Sequence, residues 1–175
     1  VGIAPYFGGY LGGSDNQAIV EAWTHEPDGG MDSLFEEITN GGLIPGVPAG
    51  GALQEAIDVM QDYRDAIVVN RGLDVVSYEA GQHLVGVGPV VDNAAITELF
   101  VAANRSARMG SAYGLYFAAW RGMGFGILTH YSNVAHFNKW GSWGLKEHHY
   151  QASTPKYLEA KSFVRDNPCW WTGCE

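Results

Sequence analysis

Apolar residues recur at helical spacing in several stretches of the chain. In the clearest stretch, after Gly51, the positions with period 3.6 are Leu53, Ala56, Ile57, Met60, Tyr63, Ala66 and Ile67. A second stripe follows a capping residue at Asp92 or Asn93 and consists of Ile96, Leu99, Phe100 and Ala103. Further helices are predicted from Ser14 or Asp15 to about Trp23, from Asp32 to about Gly41, over about 109–120, and after Pro155. The last helix is expected to bury Tyr157, Leu158, Lys161, Phe163 and Val164.

Three other apolar runs are short and lack helical spacing. They span residues 1–7, 73–79 and 124–131, and the second is rich in β-branched residues. Because long helical segments separate the three runs, the strands are expected to pair in parallel through helical crossovers. We therefore predict the α/β fold class. A parallel sheet of three strands leaves two open edges, so we expect a further polypeptide, or self-association, to cover them.

Composition and charge narrow the classes of partner. Hydrophobic residues make up 46% of the 175 residues and charged residues only 17%, which is typical of one folded domain with a sizeable core. The net charge of −9 repels phosphate backbones, so we expect a neutral or cationic ligand and no nucleic acid. No apolar run approaches the roughly 20 residues of a membrane helix. The sequence has no nucleotide-binding glycine motif and no metal-binding histidine spacing, so we predict neither a cofactor nor a metal site.

The two cysteines, Cys169 and Cys174, flank a segment in which Gly173 favours a tight turn. Their spacing is compatible with a small-loop disulfide or with two free thiols, and we favour the disulfide, which implies an oxidising compartment. The chain begins at Val1 rather than Met, so either a leader has been removed or the chain is part of a longer one. We expect a secreted or extracellular protein, with one domain over residues 1–165 and a C-terminal tail over residues 166–175.

Candidate binding residues lie where the predicted strands end, because ligands of parallel α/β proteins bind at the carboxyl ends of the strands. Glu79 is the most informative, since a carboxylate at the end of a buried strand is either held in an ion pair or used in chemistry. The other polar and aromatic residues at these ends are Tyr6, Tyr78, His83, His130 and Tyr131. For His83, a hydrogen bond that orients Glu79 and a structural role in the loop are both compatible with the sequence.

Two tryptophans, Trp140 and Trp143, follow the third predicted strand in a segment that contains glycines. Neighbouring glycines leave indole faces exposed, and an exposed indole stacks on the apolar C–H face of a sugar ring. The alternative is that this pair closes the base of the fold or forms an interface. A carboxylate and aromatic side chains at strand ends suit a neutral polyhydroxyl ligand, so we predict a polysaccharide or glycan partner.

The segment Tyr78-Glu79-Ala80-Gly81-Gln82-His83-Leu84 resembles the Tyr-Glu-Gly-Gly-Gln-His-Leu segment of bacterial secreted proteins related to retaining glycosidases, in the clan of cellulase-like and xylanase-like (β/α)8 barrels. The later aromatic stretch is similar to the last strand and loop of the same proteins. The resemblance implies that the chain is the C-terminal part of such a barrel. It also implies that Glu79 is the nucleophile and that Tyr6, His130, Trp140 and Trp143 line sugar subsites. The chain departs from the motif at Ala80, where those proteins have glycine.

A retaining mechanism needs a second carboxyl group, about 5 to 5.5 Å from the nucleophile, that protonates the leaving oxygen. In the glycosidases that the chain resembles, this acid usually follows an asparagine at a strand end, and the present sequence contains no Asn-Glu pair. Two hypotheses follow. The chain is a glycoside hydrolase-like protein whose acid/base residue lies outside these residues, or it is a non-catalytic structural, assembly or carbohydrate-binding protein.

Overall fold

The computed structural model of the chain describes residues 1–47, 49–171 and 173–174. These residues form six α-helices and one short parallel pair of strands. In chain order the helices are α1 (Gln17–Trp23), α2 (Met31–Thr39), α3 (Gly51–Tyr63), α4 (Ala94–Arg105), α5 (Ala107–Gly122) and α6 (Pro155–Asp166). The strands are β1 (Gly2–Ile3) and β2 (Val76–Ser77). Short 3₁₀ turns cover Gly9–Gly12, Ser14–Asn16 and Gly88–Asp92, and a π-helical segment, Arg64–Val69, extends α3.

The predicted α/β class is wrong, because the protein is mostly helical, with 52% of its residues in helix and 6% in strand. β1 and β2 pair in parallel, with Gly2 opposite Val76 and Ile3 opposite Ser77. The third predicted strand, 124–131, contributes a single bridge, between Ser77 and Leu128, on the other side of β2. The described residues therefore contain a narrow parallel ribbon inside a helical protein, and the predicted barrel-like sheet is not present among them.

Backbone hydrogen bonds join the third run to β2. The N–H of Gly126 donates to the carbonyl of Val75 at 2.9 Å, and the N–H of Ser77 donates to the carbonyl of Ile127 at 2.8 Å. The indole N–H of Trp120 donates to the carbonyl of Gly126 at 2.9 Å, and the indole N–H of Trp170 donates to the carbonyl of Phe125 at 2.8 Å. These two bonds tie the start of the third run to α5 and to the C-terminal tail. In the first run, Pro5 has no backbone N–H to donate to a ladder.

The predicted helices are present, but the predicted caps of α1 and α2 are wrong. Ser14 and Asp15 lie in the 3₁₀ turn before α1, and Asp32 lies inside α2. The N-cap residues are Asn16 and Gly30, and neither makes a side-chain cap bond.

The starts of α4 and α6 follow the expected capping chemistry. Asn93 caps α4, with its side-chain oxygen accepting the backbone N–H of Ile96 at 3.1 Å. Pro155 occupies the first position of α6, directly after the capping residue Thr154. Ser106 adopts an extended conformation between α4 and α5, so these are two helices and not one.

Two predicted apolar faces differ from the structure. The stripe of α3 is buried at Leu53, Ala56 and Met60. It is exposed at Tyr63, within α3, and at Ala66, in the π-helical segment that follows. In α6 the fully buried side chain is Lys156, whereas Leu158 and Val164 are 50% and 74% exposed. Lys161, predicted on the buried face, is exposed, whereas Lys156, outside the predicted face, is a buried hydrogen-bond donor.

Helix α5 lies at the centre of the core and packs against α3 and α6. Its side chains Tyr113, Tyr116 and Trp120 are fully enclosed. Phe7, just beyond β1, packs edge-on against Tyr113, with 5.8 Å between ring centroids. A further parallel bridge joins Phe7 to Gln82, beyond the end of β2. The carboxyl end of the ribbon therefore rests on α5, and the loops that follow each strand meet there.

Cys169 and Cys174 form a disulfide, as predicted, which leaves neither cysteine of the sequence free. The predicted tail, 166–175, also contains Thr172 and Glu175, which lie outside the described residues. Within the part of the chain that the structure describes, no helix combines the length and the apolar composition needed to cross a bilayer.

Candidate functional site

Glu79 and Tyr6 meet at the carboxyl end of the ribbon. The backbone N–H of Phe7 donates to the carbonyl of Gly81 at 3.0 Å, which holds the two strand ends side by side. The hydroxyl of Ser77 donates to the backbone carbonyl of Glu79 at 2.6 Å. From this position Oε2 of Glu79 accepts the hydroxyl of Tyr6 at 3.0 Å. Among the described residues no ion pair includes Glu79, so the ion-pair alternative for this carboxylate is not realised there.

Aromatic rings pack beside the pair formed by Glu79 and Tyr6. The Tyr6 ring lies edge-on to His83 and to Trp143, with 5.8 Å between centroids in both cases. His83 and Trp143 are themselves 5.2 Å apart, and Tyr131 approaches Trp143 at 6.1 Å. We call Glu79, Tyr6, His83, Tyr131 and Trp143 the Glu79 cluster. The structure therefore brings most of the sequence-predicted site residues together around one carboxylate.

Trp143 is fixed by contacts within its own loop. Its indole N–H donates to the carbonyl of Trp140 at 2.8 Å, and its carbonyl accepts the backbone N–H of Ser132 at 3.1 Å. Gly141 has a φ of +116°, and a side chain at this position would overlap the Trp143 indole. The glycine therefore makes room for the indole, in addition to leaving part of the ring accessible.

A buried network joins the Trp143 loop to the helices. The side-chain amide of Gln82 donates to the carbonyl of Ser142 at 3.1 Å. The ammonium of Lys156 donates to the same carbonyl at 2.8 Å and to Oδ1 of Asn104 at 2.8 Å. All four residues are buried. The peptide group that precedes Trp143 is thus held from two sides.

His130 lies behind the strand end rather than beside the carboxylate. Its Nε2 is 3.1 Å from the hydroxyl of Tyr113, and this hydroxyl also accepts the backbone N–H of Gln82 at 3.2 Å. Gly81 has a φ of +140°, and a Cβ there would lie 3.0 Å from the Tyr113 hydroxyl and 3.2 Å from His130 Nε2. Glycine at this position lets the backbone beyond Glu79 lie directly against both side chains.

The two remaining predicted residues lie apart from the Glu79 cluster. Tyr78 is 60% exposed and its ring lies beside Gly2, because successive residues of a strand project to opposite faces. Trp140 is 66% exposed. The ammonium of Lys139 lies 5.0 Å from the centroid of the Trp140 ring and pairs with Asp92 at 2.6 Å. Trp140 is therefore a solvent-exposed indole outside the Glu79 cluster.

Burial sets the protonation of the rings around Glu79. Burial, with the hydrogen bond to Glu79 as the second cause, raises the pKa of Tyr6, so Tyr6 remains a donor. Burial lowers the pKa of His83. Burial, reinforced by the charge of Lys156, lowers the pKa of His130 to about 3. Both imidazoles are therefore mainly neutral near neutral pH, and neither supplies a cation to the carboxylate.

Sequence reasoning missed three side chains that hold the site in place: Tyr113, Gln82 and Lys156. The sequence places Tyr113 on a helix, but nothing in the local pattern indicates that its hydroxyl reaches the end of β2. Gln82 lies within the segment that resembles the glycosidases, and its contact is 60 residues away along the chain. A lysine in the first turn of a helix is typical of solvent. Only the tertiary arrangement reveals these contacts.

Comparison with known proteins adds no assignment. No protein-family model matches the sequence, and no match is found among curated proteins or among solved structures. The resemblance to retaining glycosidases therefore stays a prediction. Within the described residues, no group of three or more histidine, cysteine, aspartate and glutamate side chains is arranged to hold a metal ion. The geometry of the Glu79 cluster is what bears on function.

Proposed function

We propose that the chain is a carbohydrate-active, glycoside hydrolase-like protein in which Glu79 is the nucleophile and the Glu79 cluster binds the sugar. The placement of one carboxylate carries this proposal. Glu79 is half-buried at a strand end, its Oε2 accepts the Tyr6 hydroxyl at 3.0 Å, and it is outside every described ion pair. A carboxylate oriented by a neutral donor keeps its charge available for a reacting carbon.

The rings beside Glu79 support a sugar as the ligand. Measured between centroids, the ring of Tyr6, which donates its hydroxyl to Glu79, lies 5.8 Å from the Trp143 ring, and the Tyr131 ring lies 6.1 Å from the Trp143 ring. Sugar C–H faces stack on such rings, and sugar hydroxyls bond to carboxylate and phenol groups. The net charge of −9 favours a neutral glycan over an anionic one.

In the proposed reaction a Glu79 oxygen forms a bond to the anomeric carbon while the bond from that carbon to the leaving oxygen breaks. The leaving oxygen takes a proton from an acid that we place outside these 175 residues, on a further segment or a partner chain. Water then cleaves the glycosyl ester and restores the carboxylate. The disulfide between Cys169 and Cys174 supports a secreted or extracellular location for this chemistry.

The proposal also includes a surface on which a partner polypeptide docks. An apolar groove runs along the extended segment at the outer side of the ribbon, and its lining includes Phe117, Ile127, Leu128, Phe163 and Trp170. An exposed apolar groove is a surface on which another chain can dock. We propose that the polypeptide supplying the acid covers this groove.

A non-catalytic carbohydrate-binding role is the second candidate. The exposed aromatic side chains favour it, since Trp140 is 66% exposed, Tyr78 is 60% exposed and Tyr131 is 47% exposed. Rings at a surface bind a glycan without a reaction. Both candidates require that the chain binds a sugar, so binding is tested first.

Binding of neutral oligosaccharides built from glucose, xylose or mannose tests the proposed site. We expect one of them to bind, and Trp143→Ala to weaken its affinity about tenfold, equivalent to roughly 1.4 kcal/mol. Calorimetric titration of the folded chain measures this. Trp171→Ala in the C-terminal tail is the matched control and is expected to bind like the unchanged chain. Failure of every neutral oligosaccharide to bind, or equal affinities for the Trp143 and Trp171 variants, would contradict the proposal.

A further inference from the structure

Lys156 is a lysine with no exposed surface. Its Nζ bonds to the carbonyl of Ser142 and to Oδ1 of Asn104, both at 2.8 Å, and lies 4.5 Å from the centroid of the Phe137 ring. Burying an ammonium is costly unless bonds to acceptors replace its hydration. A leucine or methionine would fill this position at lower cost, so the bonds that Lys156 makes need an explanation beyond packing.

The bond to Ser142 bears directly on the Glu79 cluster. Ser142 immediately precedes Trp143, whose ring lies 5.8 Å from the Tyr6 ring. Tyr6 in turn donates its hydroxyl to Glu79. Moving the Ser142 carbonyl therefore moves the indole that lies beside the tyrosine. Lys156 connects this peptide group to α4 through Asn104, which is fully buried.

We propose that Lys156 is a positioning residue for the sugar site: by bridging Ser142 to Asn104, it fixes the loop that places Trp143 beside Tyr6 and Glu79. The sugar part of this inference rests on the proposed function. The coupling between Lys156 and Trp143 does not, because it concerns the position of the indole in the unliganded protein.

The groups that face Lys156 determine how its charge responds to pH. On α4, Asn104 is uncharged, and the neighbouring Arg105 is paired with Glu147 at 2.8 Å. On α5 the Tyr113 ring lies 5.9 Å from Nζ, and His130 behind it has its pKa lowered to about 3. Burial lowers the pKa of Lys156 to about 7, and the charge of Glu147 opposes this only in part.

The lowered pKa of Lys156 makes the stability of its bridge between Ser142 and Asn104 depend on pH. A solvent-exposed lysine keeps its ordinary pKa of 10.5, whereas Lys156 in the bridge releases its proton at about pH 7. Between about pH 7 and pH 10.5, Lys156 therefore carries fewer protons in the bridge than it would if its side chain were exposed to solvent. The bridge is increasingly favoured as the pH rises through this range. A neutral amine still has two N–H groups, enough for Ser142 and Asn104. Below about pH 7 the buried charge makes the bridge least favourable.

Nuclear magnetic resonance of the indole N–H groups in the full chain, without sugar, tests this proposal. The chain has six tryptophans, and Trp143→Phe identifies the relevant signal. We expect the Trp143 signal to shift with a midpoint near pH 7, and this titration to disappear in Lys156→Met. Trp23, buried on α1, is the internal control whose signal stays the same in both proteins. If an oligosaccharide binds, Lys156→Met should also weaken its affinity several-fold.

Two results would overturn the proposal. One is a Trp143 signal in folded Lys156→Met that matches the unchanged chain at every pH. The other is a titration that persists in that variant, which would belong to His83, whose ring lies 5.2 Å from Trp143. If Lys156→Met does not fold, Lys156→Gln applies the same test, because glutamine is neutral at every pH but retains a donor. The resonance measurements need no sugar, so their outcome is independent of the proposed function.

Discussion

Gly141 and Trp143 are packed so closely that the identity of residue 141 decides where the indole lies. Gly141 has a φ of +116°, and an ideal Cβ built on it overlaps the Trp143 ring. Only glycine adopts this conformation without strain and also leaves this space empty. The loop that carries Trp143 is thus specified by a glycine on one side and by the bond from Lys156 on the other.

Gly141→Ala tests this packing. We expect its free energy of unfolding to fall by about 1 to 3 kcal/mol and the indole signal of Trp143 to move, because the new methyl group displaces the ring. Urea denaturation and indole resonances measure the two effects. Gly42→Ala is the matched control, since Gly42 also has a positive φ, +94°, but has open space around its Cβ position. Equal losses in both variants, with an unmoved Trp143 signal, would show that the overlap has no consequence.

At the residue scale, the sequence identifies side chains at strand ends but not their supports. Tyr6, Glu79 and His83 converge because strand ends that lie side by side bring their following residues together. Tyr78 is next to Glu79 in sequence but projects to the other face, as alternation along a strand requires. Lys156 is missed because no local pattern distinguishes a lysine that bonds to a distant carbonyl from one in solvent.

At the scale of elements, α5 and α6 form the most extensive contact between two helices in the described chain. Two glycines of α5 face α6 there. A Cβ on Gly110 would lie 3.0 Å from the backbone oxygen of Pro155, whereas a Cβ on Gly114 would meet only the carboxylate end of Glu159, at 2.7 Å. A methyl group at residue 110 would therefore press on rigid backbone, whereas a methyl group at residue 114 would press on the end of a flexible side chain.

These two glycines are expected to respond to alanine in opposite directions. Gly114→Ala should raise the free energy of unfolding by about 0.5 to 1 kcal/mol, because alanine favours the helix and Glu159 swings away. Gly110→Ala should lower it by about 1 to 3 kcal/mol, because α6 has to shift. Thermal and urea unfolding of both variants measure the difference. A Gly110 variant as stable as the Gly114 variant would refute the close approach.

The helices follow from sequence better than the strands do, for a physical reason. Helix hydrogen bonds are local, so apolar spacing and the caps Asn93 and Thr154 suffice to predict α4 and α6. Strand pairing depends on distant partners. The third apolar run has the composition of a strand and its backbone bonds to β2, but it forms only one bridge there, between Ser77 and Leu128. The extent of this pairing is not visible in a local window, so the predicted sheet is wider than the narrow ribbon that the described residues form.

At the scale of the whole molecule, a helical core supports one carboxylate among aromatic rings at the end of the parallel ribbon. The carboxyl ends of β1 and β2 rest on α5, and the Trp143 loop closes over them through Gln82 and Lys156. The predicted fold class is wrong, yet the predicted cluster of Tyr6, Glu79, His83 and Trp143 does not depend on that class. The parallel pairing of two segments brings Tyr6, Glu79 and His83 together, and the loop held by Gln82 and Lys156 adds Trp143.

The central claim is that Glu79 attacks the anomeric carbon of a sugar. Fluorinated glycosides with a dinitrophenolate leaving group test it directly, because that group departs with its electron pair without a proton from an acid. The Glu79 oxygen bonds to the anomeric carbon as the bond to dinitrophenolate breaks, and the fluorine at carbon 2 slows hydrolysis of the ester. The measurement is the intact mass of the chain, followed by peptide mapping.

We predict the addition of one fluoroglycosyl group with at least one sugar of a glucose, xylose, mannose and galactose panel, located on the peptide that contains Glu79. The adduct should be absent from Glu79→Gln and present in Glu98→Gln, which changes an exposed glutamate on α4. An adduct on any other residue would contradict the account. So would an unmodified chain that nevertheless binds the parent oligosaccharide, since this result would assign the Glu79 cluster to binding alone.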